Sequence, residues 1–178
     1  MFYSTEYNSI IGPLMVVCDK ENIVGLWMIR QKYFCPLKEQ PVKNDNHPLL
    51  LLAKSWLDRY FDGQKPEINE LPLAPIGSSF RQEVWEILCT IPYGEVMTYG
   101  QIANIIAKKH GKEKMSAQAV GGAVGHNPIS VIIPCHRVVG TNGSLTGYAG
   151  GIEKKITLLT HEGLDMSQFI IPTKGTAI

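Results

Sequence analysis

The segment Val131-Ile132-Ile133-Pro134-Cys135-His136-Arg137-Val138-Val139-Gly140 places a thiol, an imidazole and a guanidinium side by side after an apolar run. Such a run reads as a buried strand. Pro134 keeps Ile133 out of helical geometry, which predicts that Cys135 emerges at the end of a rigid strand. A thiol near its ordinary pKa of ~8.5 is only a few per cent thiolate at neutral pH, so a reactive cysteine needs a neighbouring base or cation. His136 and Arg137 are the candidates. Successive side chains of a strand point to opposite faces, so His136 needs a bridging water or a bend to reach the sulfur. A histidine base also needs its far ring nitrogen held by an acid distant in sequence. Glu162, at the end of the last helical pattern, is the choice. A lone cysteine in an apolar run is more often a packed core thiol, and the flanking Pro, His and Arg reverse that preference.

These residues need a scaffold of ordinary globular kind. The chain has 178 residues, 44% hydrophobic and 19% charged, which allows one domain or two small ones. Lys plus Arg number 17 against 16 acidic residues, for a net charge of +1, which excludes a globally basic nucleic-acid binder. No apolar run reaches the ~20 residues of a membrane span, and Met1 to Glu6 lacks a signal-peptide pattern. A cytoplasmic protein without a membrane partner is expected. Cys18, Cys35, Cys89 and Cys135 show no C-x-x-C pair, which predicts neither a zinc knuckle nor a disulfide framework.

Residues 3–7, 14–18 and 23–28 read as strands of a small antiparallel sheet. Leu49, Leu52, Ala53, Trp56 and Tyr60 predict a covering helix with Asn46 as N-cap. Pro72 and Pro75 mark a boundary, giving an N-terminal domain of 1–77, a second of 78–164 and a tail of 165–178. Helices follow. Ser79 with Gln82, and Thr98 with Gln101, form capping-box patterns, and Ser116 caps a third helix through Val124. The last two make a helix-turn-helix candidate, and a final helix spans about 152–162. The small residues of 116–123 suit either close approach to DNA or tight packing on the core. Lys108, Lys109, Lys112 and Lys114 favour DNA through phosphate contacts.

The heptad Pro134 to Gly140 resembles the active-site signature of the O6-alkylguanine-DNA alkyltransferase family. Thr98-Tyr99-Gly100-Gln101, Ala119-Val120-Gly121-Gly122-Ala123, Asn127-Pro128, Gly147-Tyr148-Ala149-Gly150-Gly151 and Leu159-Thr160-His161-Glu162-Gly163 follow the family's order over roughly residues 79 to 163. The resemblance implies an α+β protein. Its N-terminal part would be ribonuclease-H-like, a small sheet with a helix, and its C-terminal part an all-α, winged-helix-like DNA-binding domain.

It further implies that Cys135 accepts an alkyl group, that His136 deprotonates it through a water and that Glu162 orients the imidazole. Tyr99 would rotate the phosphate of a flipped nucleotide and donate toward the departing guanine. Asn127 would brace the turn before the active-site segment. Tyr148 would wall the guanine pocket, with the backbone of Ala149 and Gly150 on the base edge; many relatives have serine where this chain has Ala149. Ser116, Ala117, Ala119, Gly121 and Arg137 would contact DNA, and Gln118 would enter the duplex where many relatives use arginine.

The implied partner is double-stranded DNA carrying O6-alkylguanine, bound without sequence preference by a monomer, with O4-methylthymine as a second candidate substrate. Displacement at the alkyl carbon by a soft thiolate calls for no metal and no cofactor, and the thioether allows one reaction per molecule. The base must leave the stack to react. Two other classes compete: a binding-only helix-turn-helix regulator or lesion sensor, and a Cys/His hydrolase, which would need an oxyanion hole and would turn over. Cys135 argues against the sensor, whose motif lacks the cysteine.

Overall fold

The computed structural model describes residues 1–173, and the last five residues of the expected tail lie outside it. The chain divides into two compact units: Met1–Ile76 with Pro128–Ile132, and Gly77–Asn127 with Ile133–Ile178. Pro128–Ile132 thus joins the first unit, although it lies within the 78–164 segment.

In the first unit, β1 (Tyr3–Ser9), β2 (Gly12–Cys18) and β3 (Ile23–Met28) pair antiparallel, with Tyr3 opposite Cys18 and Leu14 opposite Met28. A short β4 (Val42–Lys43) adds a parallel edge to β1, so the sheet is mixed, in the order β3-β2-β1-β4. Every residue of β3 is buried, because Pro128 to Ser130 hydrogen-bond along Leu26 and cover its edge. An edge strand closed this way offers no free template for other chains. α1 (Pro48–Phe61) packs Leu50, Ala53, Trp56, Leu57 and Tyr60 inward. Its N-cap is His47 rather than the expected Asn46: Nδ1 accepts the Leu49 N–H at 3.3 Å, and Pro48 takes the first helical position. Trp27, Trp56 and Trp85, all expected in the core, are buried.

The second unit contains α2 (Ser79–Leu88), α3 (Tyr99–Lys109), α4 (Ala117–Gly125) and α5 (Ile152–His161). It is not all-α. Between the helices β5 (Met97–Thr98) and β6 (Val138–Val139) form a parallel pair, so the all-α expectation is corrected. These two-residue strands are too short for a period-2 signal. The α2 cap is Ser78, which accepts from Arg81 N, and Ser79 is already helical. Thr98 and Gln101 form the expected capping box, and Ser116 caps α4 through Ala119 N. Gly111, at φ +61°, opens the turn between α3 and α4. Among the described residues no helix is long and apolar enough to cross a membrane.

The position of α4 depends on Trp85, whose buried Nε1–H donates to Ala123 O at 2.9 Å. The same ring lies against Gly77, where an added Cβ would stand 2.4 Å from Trp85 Cη2. Gly77→Ala should therefore cost about 1–3 kcal/mol by overpacking, seen as a lower urea-unfolding midpoint. An unchanged midpoint would show that the ring moves freely and does not fix α4.

Candidate active site

The apolar run before Cys135 is buried as expected but is not a strand. Val131 sits at φ +71°, a left-handed conformation that a β-branched residue seldom adopts. Ile132 N bonds to Ser130 O and Cys135 N to Ile133 O, so the chain coils through tight turns. Cys135, His136 and Arg137 then form one turn of 3-10 helix, which ends where Val138 N reaches Cys135 O. Successive side chains of a 3-10 turn diverge by about a third of a revolution, so these neighbours do not take the opposed faces of an extended strand. Proline still has its predicted role: with no N–H to contribute, Pro134 sits as the N-cap of the turn.

Cys135 is a free thiol, 5% exposed. Burial pushes its pKa up, opposed by a hydrogen bond from Asn127, the charge of Lys155 and nearby backbone N–H groups. Asn127 also donates through Nδ2 to Ile133 O at 2.8 Å, clamping the chain just before the thiol. The predicted brace is thus in contact with the segment it was expected to support.

His136 has no solvent exposure, and its Nε2 lies 2.6 Å from Glu162 Oε1. Burial lowers its pKa more than Glu162 raises it, so the imidazole is neutral at neutral pH. A neutral ring facing a carboxylate through Nε2 carries its proton there, which makes Nδ1 the basic nitrogen. Glu162 caps the C-terminus of α5 and accepts from Gly94 N at 3.1 Å. Burial alone would raise its pKa, but the hydrogen bonds and charges of His136 and Arg137 hold it well below the usual carboxylate range.

Arg137, expected among the DNA contacts, lies elsewhere. It is buried, with Nε 2.9 Å from Glu162 Oε2, Nη2 3.1 Å from Oε1 and Nη1 2.6 Å from Ile91 O. A guanidinium with a forked carboxylate and a carbonyl as partners is a structural ion pair, with no donor face turned outward to phosphate.

Tyr99 begins α3, and its hydroxyl donates to Thr146 O at 3.0 Å. Gly147 must be glycine here, because it sits at φ +76° and a Cβ would stand 2.8 Å from that hydroxyl. Tyr148, Ala149 and Gly150 follow on the same loop, all half-buried. Burial and the proximity of Cys135 raise the pKa of both Tyr99 and Tyr148.

Lys155 was not singled out in the sequence. It is wholly buried on the inner face of α5, and Nζ donates to Val138 O at 2.5 Å and Thr146 O at 3.0 Å. Burial lowers its pKa to about 8, against a raising influence of Cys135. The available signal was a lysine three residues after Ile152 and four before Leu159, on the apolar stripe of the helix.

On α4 the side chains of Ser116, Ala117, Gln118 and Ala119 are exposed, whereas Gly121 is half-buried against Tyr99. Lys108, Lys112 and Lys114 are exposed too, and Lys109 pairs with Glu83 at 2.8 Å. Among the described residues no group of three or more His, Cys, Asp or Glu side chains could hold a metal ion.

Residues 1–75 match the family model described as 6-O-methylguanine DNA methyltransferase, ribonuclease-like domain, and residues 79–164 match the DNA binding domain of the same name. The chain is 39% identical over 160 residues to a methylated-DNA--protein-cysteine methyltransferase of Haemophilus influenzae, covering 90% of this chain and 86% of that protein. It is 40% identical over 163 residues to the protein of that name from Methanosarcina acetivorans, covering 92% and 99%. Among solved structures it resembles Mycobacterium tuberculosis OGT in complex with DNA, with TM-score 0.79, 38% identity and 94% of each chain covered. The two matched segments together span most of the chain, and the chain belongs to the 6-O-methylguanine DNA methyltransferase family.

Proposed function

We propose that this protein repairs DNA by flipping O6-alkylguanine from the duplex and transferring the alkyl group irreversibly to its own Cys135. The observation that carries this reading is one buried array: a free thiol, then His136 bonded at 2.6 Å to a Glu162 carboxylate. The curated relatives carry the name of this activity, and the matched Mycobacterium tuberculosis structure is a complex with DNA. Cys135 loses its proton to Nδ1 of His136 through a water, and the resulting imidazolium faces Glu162. Sulfur attacks the alkyl carbon, the S–C bond forms and the C–O bond breaks with its electron pair on O6. The proton then returns to the purine. The step balances without a metal or redox cofactor, and the thioether has no good leaving group, so each molecule acts once. O4-methylthymine presents the same reactive alkyl–oxygen bond and is the second candidate substrate.

The α2–α4 array with β5 and β6 is read as a winged-helix-like fold that presents α4 to DNA. The exposed Ser116 to Ala119 face fits this role, and so does Gly122, where an added Cβ would meet nothing within 4 Å. Packing within the protein does not require a glycine there, and glycine inside a helix costs about 0.5–1 kcal/mol relative to alanine. Close approach by a backbone from outside accounts for it. Every residue assigned a chemical role lies in one unit of one chain, in keeping with a monomer, and four unpaired thiols suit the reducing cytoplasm.

Mixing the protein with excess duplex containing O6-methylguanine should add one methylene to the peptide carrying Cys135, and no more than one per molecule. With DNA saturating, Glu162→Gln should slow that single turnover by about a hundredfold or more, the usual contribution of acid–base assistance. Sustained turnover, or alkylation at Cys89, would reject the reading.

Gln118 stands at the exposed start of α4 and is read as the side chain that fills the gap left by the flipped nucleotide. Gln118→Ala should slow repair of duplex DNA by roughly tenfold, the scale of one lost hydrogen bond. Reaction with free O6-benzylguanine, which needs no flipping, should change little. Equal losses on both substrates would make α4 a packing element instead.

A further inference from the structure

The turn between α2 and β5 meets the acid side of the relay. Glu95 N bonds to Pro92 O at 3.1 Å and Gly94 sits at φ +77°, so Pro92 to Glu95 make a tight turn with glycine where a positive φ is needed. Four contacts join this turn to the relay. Ile91 O accepts from Arg137 Nη1 at 2.6 Å, and Gly94 N donates to Glu162 Oε2 at 3.1 Å. The Tyr93 hydroxyl donates at 3.2 Å to His161 O, one of the last carbonyls of α5, which a helix leaves without an internal partner. Arg137 Cζ sits over the Tyr93 ring, 5.7 Å from its centroid, inside the ~6 Å reach of a cation–π contact.

The contacts of Ile91 and Gly94 come from the backbone, so any residue type could supply them. Tyr93 adds what the backbone cannot. It is half-buried itself, while the Arg137 and Glu162 side chains are 8% and 0% exposed. A ring pinned by its hydroxyl and lying on the guanidinium keeps water from the ion pair, and the attraction within the pair is stronger for that. Burial and the Glu162 charge raise the Tyr93 pKa against the opposing charge of Arg137, so the phenol keeps the proton it donates. His136 feels the charges of Glu162, Arg137 and Lys155; burial and the two cations keep it neutral, and Glu162 opposes them. Water at the ion pair would lessen the burial and loosen Arg137 from Glu162, and both changes favour the imidazolium.

We propose that Tyr93 is a positioning residue for alkyl transfer: its ring seals the Arg137–Glu162 pair and its hydroxyl pins the end of α5, so that Glu162 holds a neutral His136 ready to take the thiol proton. The role rests on the alkyl-transfer reading and deepens it. Tyr93 acts through Glu162 and is assigned no contact with the reacting atoms.

Tyr93→Leu keeps apolar bulk and removes both the aromatic face and the hydroxyl. In DNA-free protein, nitrogen-15 NMR of labelled His136 should show the ring taking its second proton at a pH about half a unit or more above the wild-type value. Single-turnover transfer from O6-methylguanine duplex at saturating DNA should be slowed roughly tenfold at neutral pH. Its decline on acidification should begin at correspondingly higher pH, because a protonated His136 cannot accept the thiol proton. DNA affinity should be unchanged. Tyr93→Phe, which keeps the ring, should restore the wild-type midpoint and a rate within about threefold of wild type, the scale of one neutral hydrogen bond. A slowed Tyr93→Leu protein with an unmoved His136 midpoint would reduce Tyr93 to a packing residue, and wild-type behaviour in both measurements would overturn the role altogether. If Tyr93→Leu does not fold, hydrogen exchange at Arg137 Nε in the wild-type protein decides: slow exchange supports the seal, and exchange at the rate of free arginine overturns it. If wild-type Cys135 stays unmodified by this DNA, the alkyl-transfer reading fails, whereas the His136 titration still tells whether Tyr93 governs the histidine.

Discussion

The Glu162 side chain is fully out of solvent, and a carboxylate so placed is tolerable only if its charge and lone pairs are met. Arg137 meets it with two N–H groups, His136 with one and the Gly94 backbone with another. The charge balance follows. Burial keeps His136 neutral, with Arg137 offsetting the Glu162 charge, and the hydrogen bond to Glu162 orients the ring with its basic nitrogen Nδ1 away from the acid. Removing Glu162 would leave a buried guanidinium without its counter-charge as well as an unoriented imidazole, so the pair cannot be separated from the relay.

Cys135 and Lys155 form the complementary half of this arrangement. Lys155 is buried, its Nζ donates to the carbonyl oxygens of Val138 and Thr146, and its charge favours an anion at Cys135. At rest the thiol keeps its proton, because burial disfavours the thiolate more than Lys155 and Asn127 favour it. The nucleophile is therefore protected from indiscriminate reaction until a substrate excludes water and brings an alkyl carbon to it. Thr146 O, bound by both Lys155 and Tyr99, links the helix behind the thiol to the loop that carries Tyr148. That loop is secured from a further side, where Leu145 N bonds to Ile170 O and Ile170 N to Gly143 O.

The parts that the sequence made legible are those decided by short-range chemistry. Thr98 with Gln101 and Ser116 with Ala119 act within one helical turn, so their caps could be read directly. The strand-forming runs of β1 and β2 belong to the same class. Arg137 shows the limit. Adjacency to Cys135 suggested a cation for the thiol and the family resemblance a DNA contact, whereas the guanidinium is held inward by Glu162, 25 residues away. The coiling of 130–135 in place of a strand depends on a left-handed Val131, which no propensity signals. Ile170, in a tail without periodicity, owes its place to a loop distant in sequence. Lys155 lay in plain view on an apolar stripe, but a buried lysine gains meaning only once its acceptors are known.

The central claim is that the resting site holds a protonated thiol beside a neutral histidine whose proton is on Nε2, facing Glu162. Nitrogen-15 NMR of selectively labelled His136 tests it most directly. The account predicts one protonated and one unprotonated ring nitrogen at neutral pH, with Nε2 the protonated one. A ring protonated on both nitrogens, or a neutral ring carrying its proton on Nδ1, would contradict it.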